Sequence, residues 1–552
     1  MSKLKTLGAL AKTGVLTPIR PDKFLRMGKA AKRFGSSPAT PIVMAAQRYP
    51  KRTAIVDAKG TLTWGEVDRR TDRITRALRD DGIDADEVMG ILCRNHRGFV
   101  EALTVAGKLG TDAVLLNTGF SGPQLGEVAR REGVTVLVHD ESFADEVAHS
   151  GLGDEVRRYR TWTDTDTDAD AGTDADAETG GAASFDVLAE TGDDGPVDAP
   201  ASHSAVVILS SGTTGTPKGA KRSIDRDKAK ASMQANLAVL TRIPVRSGAP
   251  TLISAPLFHT WGFTNLLVAS MMAAPMVLRE RFDPADTVET MAREKVRTFV
   301  AVPAMLQRIL DLPEEWLRDH DTSSLEVVAL SGSALPGGLA TRWMDVFGDN
   351  IYSLYGSTEV AAVAIADPAD LRAAPDTAGP PLPGIDVRLL DEDDDEVPHG
   401  ETGRIFVRSG MLFDGYTSGG SKPVIDGYMS TGDLGHFDDD GRLYVDGRED
   451  DMIVSGGENV YPQEVEEVIL RHEAISDAVV FGVSDDEFGQ RLVAVVVATD
   501  GASPTEDEIK DWVRSNLARY KVPREVRFRD ELPRNPTGKL LRRVLIDESE
   551  PG

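Results

Sequence analysis

Short apolar runs punctuate the chain: Val206-Val207-Ile208-Leu209, Thr298-Phe299-Val300-Ala301-Val302 and Val327-Val328-Ala329-Leu330. Each is followed at once by Ser or Pro. Runs of this kind read as strands buried on both faces, as in a parallel sheet. Helical patterns lie between them. Thr63 and Glu66 stand at capping-box spacing ahead of a periodic run that continues to Leu78, which predicts a helix start. The alternation of the two periods gives an α/β class, in which ligand loops follow the strands directly. Towards the C-terminus the order becomes helix, strand, strand, helix, strand. Pro462 to Arg471 reads as a helix, Val479-Val480-Phe481 and Leu492 to Val497 as strands. Ser503 reads as an N-cap, with Pro504 at the first helical position and Glu506 three residues on. This order predicts a separate, compact α+β unit.

Two stretches break the pattern. Residues 1–35 form a basic segment with Lys3, Lys5, Lys12, Arg20, Lys23, Arg26, Lys29, Lys32 and Arg33 against the single acid Asp22. Leu4, Leu7, Leu10 and Ala11 recur there at helical spacing. The preferred reading is a surface helix packed on the acidic body, and the alternative is weak contact with anionic lipid. The tract beginning Thr163-Asp164-Thr165-Asp166 alternates without an apolar face to bury. It predicts an acidic disordered insertion over 163–198 and carries no chemistry.

Composition narrows the class. A chain of 552 residues is too long for one core. Its 41% hydrophobic content suits packed globular domains. The net charge of −27 repels phosphate backbones, so nucleic acid is not an expected partner. Acidity on this scale suits a salt-adapted interior, where screening falls to roughly 3 Å at 1 M; an ordinary acidic enzyme is the rival reading. Cys93 stands alone, so no internal disulfide forms, and it lies in a strand-like run as a core thiol. No run spans a bilayer and no cleavable leader is visible, which points to a cytoplasmic enzyme.

The chemistry sits directly after one of the strands. Ser210-Ser211-Gly212-Thr213-Thr214-Gly215-Thr216-Pro217-Lys218-Gly219 offers glycines for close backbone approach, hydroxyl donors and a lysine, all suited to phosphate. It is not a Walker loop, because Pro217 precedes the lysine and Gly219 follows it. The string resembles the phosphate loop of the adenylate-forming superfamily. Further matches follow in order. Pro256-Leu257-Phe258-His259-Thr260-Trp261-Gly262 resembles the acyl-pocket motif, Ser331-Gly332-Ser333-Ala334-Leu335-Pro336 the adenine turn, and Tyr352-Ser353-Leu354-Tyr355-Gly356-Ser357-Thr358-Glu359 the nucleotide and magnesium motif. Ser430-Thr431-Gly432-Asp433-Leu434 resembles the ribose motif, and Gly447-Arg448-Glu449-Asp450-Asp451-Met452-Ile453 the hinge. Ser455-Gly456-Gly457-Glu458-Asn459-Val460-Tyr461-Pro462 resembles the start of the small domain, and Pro533-Arg534-Asn535-Pro536-Thr537-Gly538-Lys539 the catalytic-lysine loop. The similarity covers roughly residues 40–545, and the ordered series is far more specific than any one motif.

The resemblance implies a large multi-subdomain N-terminal domain over 36–449, with two α/β layered sheets and a small β-barrel, and a smaller mobile α+β domain over 450–552. It implies ATP, Mg²⁺ and coenzyme A. Lys539 would bridge the carboxylate and the α-phosphate. Ser211, Gly212, Thr213, Thr214, Gly215 and Lys218 would hold the outer phosphates, Glu359 the magnesium. Ser333, Ala334, Leu335, Tyr355, Gly356, Ser357 and Thr358 would hold the nucleotide, and Asp433 with Arg448 the ribose. Asp450 would be the hinge about which the small domain turns after adenylation, bringing the Gly456-Gly457 turn to admit the thiol.

His259, Trp261, Gly262, Ala304 and Met305 are the expected acyl-binding residues. Gly262-Phe263-Thr264-Asn265-Leu266-Leu267 holds no acid to pair with an amino group, which disfavours an amino-acid substrate. The apolar surroundings suit a medium- or long-chain fatty acid. The expected function is therefore an AMP-forming acyl-CoA ligase. Alternatives on the same scaffold are a fatty-acyl-AMP ligase that loads a carrier protein and a luciferase-like oxygenase. Homodimer formation is a further expectation.

Overall fold

The computed structural model describes residues 13–14, 19–162, 183–193, 195, 197–210, 218–221, 237–391, 393–417, 419–448, 453–455, 458–460, 462–485, 487–499, 501–533 and 542–549. Among them run two eight-stranded sheets and two five-stranded sheets. In the first large sheet, Thr251–Ile253, Thr298–Ala301, Val327–Leu330 and Ile351–Ser357 lie side by side and parallel. In the second, Asp112–Leu115 pairs in parallel with Val206–Ser210, which turns back antiparallel into Lys218–Lys221. Thr298–Ala301 and Val327–Leu330 are thus buried strands, Val206, Val207, Ile208 and Leu209 are only half-buried, and Val302 and Ser331 leave the first two strands at their carboxyl ends. Ligands in open α/β sheets bind at such ends.

Helices cover these sheets. Thr63 caps the helix Trp64–Asp80 with both halves of the expected capping box, and Trp64, Val67, Ile74 and Leu78 are buried beneath it. Cys93 is buried just past the strand Val88–Leu92, and burial first, then the nearby Asp140, pushes its thiol well up. It is a core group. The basic segment forms the helix Pro21–Phe34, which buries Ala30 and Phe34 against Val43, while Lys23 donates to the Arg48 carbonyl at 2.6 Å. Its N-terminal part, with Leu4, Leu7, Leu10 and Ala11, lies outside the described residues. No helix among the described residues is long and apolar enough to cross a membrane.

The expectation of an acidic disordered insertion over 163–198 is overturned at its C-terminal end. Residues 163–182 lie outside the described residues, but Phe185–Thr191 is a helix. Phe185 and Ala189 are buried, and Asp186 pairs with Lys59 and Arg70. An apolar position every four residues sufficed to dock this end of the stretch on Trp64–Asp80.

The third sheet is antiparallel and centres on Tyr428–Phe437, which pairs with Gly403–Arg408, Val424–Ile425 and Leu443–Arg448. The C-terminal unit follows the expected order: helix Pro462–Leu470, strands Ile475–Asp485 and Gly489–Ala498, helix Glu506–Asn516, strand Glu525–Arg529. A hairpin, Ile453–Ser455 with Glu458–Val460, precedes that helix. The helix Glu506–Asn516 is capped by Thr505 with Glu508, not by Ser503 with Glu506. Both pairs have the same spacing, and the frame that turns Ile509 and Val513 into the core is the one adopted.

Candidate active site

The carboxyl ends of both parallel sheets open into one cavity of about 1820 Å³. Leu115, Asn117, Phe120 and Leu209 line it from one sheet, and the loops after Thr251–Ile253, Thr298–Ala301 and Val327–Leu330 from the other. Ser333, Ala334, Leu335, Tyr355, Gly356, Ser357, Thr358, Glu359 and Asp433 all line it too. The structure therefore brings together residues that lie a hundred positions apart in sequence.

Their positions have local causes. Gly332 adopts φ +97°, a left-handed turn that aims Ser333–Leu335 across the strand end. A Cβ on Gly356 would lie 2.0 Å from the Ala361 carbonyl, so only glycine permits the irregular pairing there of Ile351–Ser357 with Ala361–Ala366. That pairing carries the polar chain that follows. The Ser357 hydroxyl donates to one Glu359 oxygen at 2.9 Å and the Tyr416 hydroxyl to the other at 3.0 Å. Both oxygens of a buried carboxylate are thus fixed, and Lys218 Nζ stands 5.5 Å from the Tyr416 ring centre. On the far side the Tyr355 hydroxyl donates to Asp433 Oδ2 at 2.6 Å. Asp433 faces Arg448 across the strand pair, so the two expected ribose residues are adjacent in register.

The acyl-pocket residues divide. Trp261 lines the cavity, with its indole N–H fixed to the Ala301 carbonyl at 3.1 Å. Ala304 lines it as well, beside Val302, Pro303 and Gln307. Met305 does not. It lies on the opposite face of the helix Pro303–Leu310 and packs against the core behind the sheet. Gly262 is not a lining residue either: its absent side chain lets the helix Thr260–Met271 sit against Pro256, whose carbonyl would be 2.1 Å from a Cβ. The loop ahead of that helix is held by buried Asn95, which donates to the Ile253 and Ala255 carbonyls and accepts from the Leu257 N–H. No motif marked Asn95 in the sequence.

His259 shows a contact that spacing alone could not reveal. Its Nε2 lies 2.8 Å from Glu458 Oε1, a residue of the C-terminal hairpin. Burial alone would lower the pKa of this imidazole, but the charge and hydrogen bond of Glu458 outweigh it and raise the value above 6.5. Two further links join the units: Gln124 donates to Glu464 at 3.3 Å, and the Arg519 N–H to the Gly119 carbonyl at 3.3 Å. Tyr520 lines the cavity beside them, and burial first, then Glu458 and Glu464, holds its phenol protonated. Ser211, Gly212, Thr213, Thr214, Gly215, Asp450, Gly456, Gly457 and Lys539 lie outside the described residues, as does the Arg448 side chain.

The donor set bears on metal binding. Among the described residues no three His, Cys, Asp or Glu side chains converge into a metal cage. Glu359 presents a fixed, buried carboxylate to the cavity on the side of Lys218, and Asp433 a second one on the far side. One carboxylate fits Mg²⁺, which keeps waters and shares substrate phosphates, and does not fit a structural metal.

The sequence pattern of AMP-binding enzymes matches residues 43–417, and that of their C-terminal domain residues 464–539. The chain belongs to the AMP-binding enzyme family. It is 32% identical over 508 residues to a feruloyl-CoA synthase from an Amycolatopsis species, covering 91% of this chain and 96% of that one. It is 34% identical over 351 residues to a long-chain-fatty-acid–CoA ligase of Bacillus subtilis, covering 62% and 61%. Among solved structures, the o-succinylbenzoate CoA synthetase of Bacillus subtilis bound with its product analogue OSB-NCoA (a double mutant) superposes with a TM-score of 0.76 at 27% identity, covering 92% of this chain and 98% of that chain. The same enzyme in complex with its acyl-adenylate intermediate superposes with a TM-score of 0.63, covering 92% and 97%. The AMP-binding enzyme described here thus matches one of those two arrangements better than the other.

Proposed function

We propose that this AMP-binding enzyme joins a medium- or long-chain fatty acid to coenzyme A, as an ATP-dependent, AMP-forming acid–thiol ligase. The observation that carries the substrate class is the face of the helix Thr260–Met271. Trp261, Thr264, Val268 and Met271 line the cavity from it, opposite Leu240 and Ile243. No charged group stands in that stripe. From Trp261 to Met271 a helix rises about 15 Å, the scale of a medium-chain acyl tail. A second reading is an extended aromatic acid. The pinned indole of Trp261 offers a fixed ring face to a planar group, and a relative at 32% identity is named for feruloyl-CoA synthesis.

The reaction follows from the donors. In the first half, a carboxylate oxygen bonds to the α-phosphorus as pyrophosphate leaves. Two anions must meet, so cations have to converge there. Lys539 serves the carboxylate and α-phosphate, Lys218 and the hydroxyls of Thr213 and Thr214 the outer phosphates. Glu359, held by Ser357 and Tyr416, is the residue that would hold Mg²⁺, which when bound neutralises phosphate charge. Asp433 accepts from the ribose while Tyr355 fixes its carboxylate. In the second half, the thiol sulfur bonds to the acyl carbon, AMP leaves, and the thiol proton is released. The better match to the product-analogue complex supports the reading that the present domain arrangement serves this second half.

The Glu458–His259 bridge then belongs to the thiol-accepting state. Because the His259 pKa is raised, the bridge is complete below pH 6.5 and is lost as pH rises through the raised value. Glu458→Gln is expected to slow thioester formation from preformed acyl adenylate roughly three- to tenfold at low pH. The wild-type-to-variant rate ratio should fall towards one as pH rises. A ratio that grows with pH would contradict the assignment.

The substrate reading is tested by kcat/KM for coenzyme A-dependent AMP release across saturated acids from acetate to palmitate, with ferulate and cinnamate alongside. A maximum at medium or long chains supports the first reading. A maximum at the aromatic acids replaces it with the second.

A further inference from the structure

Acidic side chains outnumber basic ones in this chain, 89 to 62, yet several described lysines have no acidic partner. Lys422 is one. It is half-buried and lines the cavity, yet among the described residues it makes no hydrogen bond or ion pair, although Glu359 and Asp433 line the same cavity.

Its position is built by the backbone. Val424–Ile425 pairs with Tyr428–Met429, and the Pro423 carbonyl accepts from the Ser430 N–H. Lys422 therefore leaves the hairpin opposite Thr431 and Gly432. A Cβ on Gly432 would lie 3.1 Å from its Nζ, and Gly432 adopts φ +81°. Asp433, which receives the Tyr355 hydroxyl, is the next residue. At the other end, Gly415–Tyr416 pairs with Ala220–Lys221, and the Thr417 N–H donates to the Gly219 carbonyl at 2.7 Å. The segment bearing Lys422 thus runs from the strand that closes the phosphate loop to the strand end bearing Asp433. A half-desolvated ammonium there gains from an anion that the protein itself does not supply.

We infer that Lys422 is a further nucleotide-binding residue, donating to the phosphate of the bound adenine nucleotide. This rests on the nucleotide site proposed above. The strand Val424–Ile425 that follows Lys422 lies in the same sheet as Asp433, so Lys422 keeps its place near Asp433 whichever way the C-terminal unit turns. It would continue to neutralise the α-phosphate of the acyl adenylate after Lys539 has withdrawn.

The test is calorimetric binding of adenosine, AMP and ATP to the full chain, comparing wild type with Lys422→Gln and Lys422→Arg. Lys422→Gln should weaken AMP and ATP about tenfold and leave adenosine unchanged. Lys422→Arg should restore most of the loss. The affinity for AMP should also fall less steeply with salt in Lys422→Gln than in wild type. Equal losses for adenosine and AMP would assign Lys422 to the sugar or to folding and overturn the inference, as would an unchanged AMP affinity. A wild-type chain that binds neither adenosine nor AMP would overturn the nucleotide site itself, and the inference with it.

Discussion

Lys539→Ala is expected to slow acyl-adenylate formation about 10²–10³-fold, the cost of losing one preorganised donor to developing charge. Thioester formation from preformed acyl adenylate should stay near the wild-type rate. The asymmetry is the point. In the first half-reaction a carboxylate must reach a phosphate of like charge, and a lysine between them lowers that barrier directly. In the second half the attacked group is an ester-like carbonyl and the leaving group is AMP. The structure places Glu458 and its hairpin, not an added cation, against His259 at the cavity. A lysine that acts only before the C-terminal unit turns is not felt afterwards. Pyrophosphate release and single-turnover consumption of synthetic acyl adenylate separate the two steps. Equal losses in both would remove the case for alternation between two domain arrangements.

Glu359→Gln is the second large effect. Its two oxygens already accept from Ser357 and Tyr416, so the side chain is aimed before any ligand arrives. Glutamine keeps the size but turns one acceptor into a donor and removes the charge. Adenylation should fall about 10²-fold, and saturation with Mg²⁺ should require a higher concentration. Tyr416→Phe, which only frees the carboxylate to rotate, should cost about tenfold. A Mg²⁺ titration of pyrophosphate release orders the three proteins. If Glu359→Gln lost activity without any change in its Mg²⁺ requirement, Glu359 would be a positioning residue and not a metal ligand.

Much of this scaffold is legible in the chain because its signals are local. A parallel strand buried on both faces must be a short apolar run, as at Val327–Leu330. A capped helix must place Thr63 and Glu66 three apart. Local signals fail where two frames fit equally, as with Ser503 and Thr505, or where burial depends on the far side of a helix, as with Met305. Gly262 lies in the right motif but acts by steric allowance, a role indistinguishable in sequence from substrate contact. The site motifs Ser333–Leu335, Tyr355–Glu359 and Asp433 do converge on one cavity. What stayed hidden is pairwise and long-range. The His259–Glu458 contact spans 199 positions, and Asn95 steadies a loop some 160 residues away. Lys422 looks like an ordinary loop lysine until the hairpin places it over Gly432.

The proposed mechanism makes an acyl adenylate and then passes its acyl group to coenzyme A at one site. It is tested most directly by incubating the full chain with Mg-ATP and dodecanoate, then adding coenzyme A, while following pyrophosphate, protein-bound acyl-AMP and free acyl-CoA. One burst of pyrophosphate matched by bound acyl-AMP is expected, then conversion of that acyl-AMP to dodecanoyl-CoA with release of AMP and resumed turnover. Bound acyl-AMP that coenzyme A leaves untouched would contradict it.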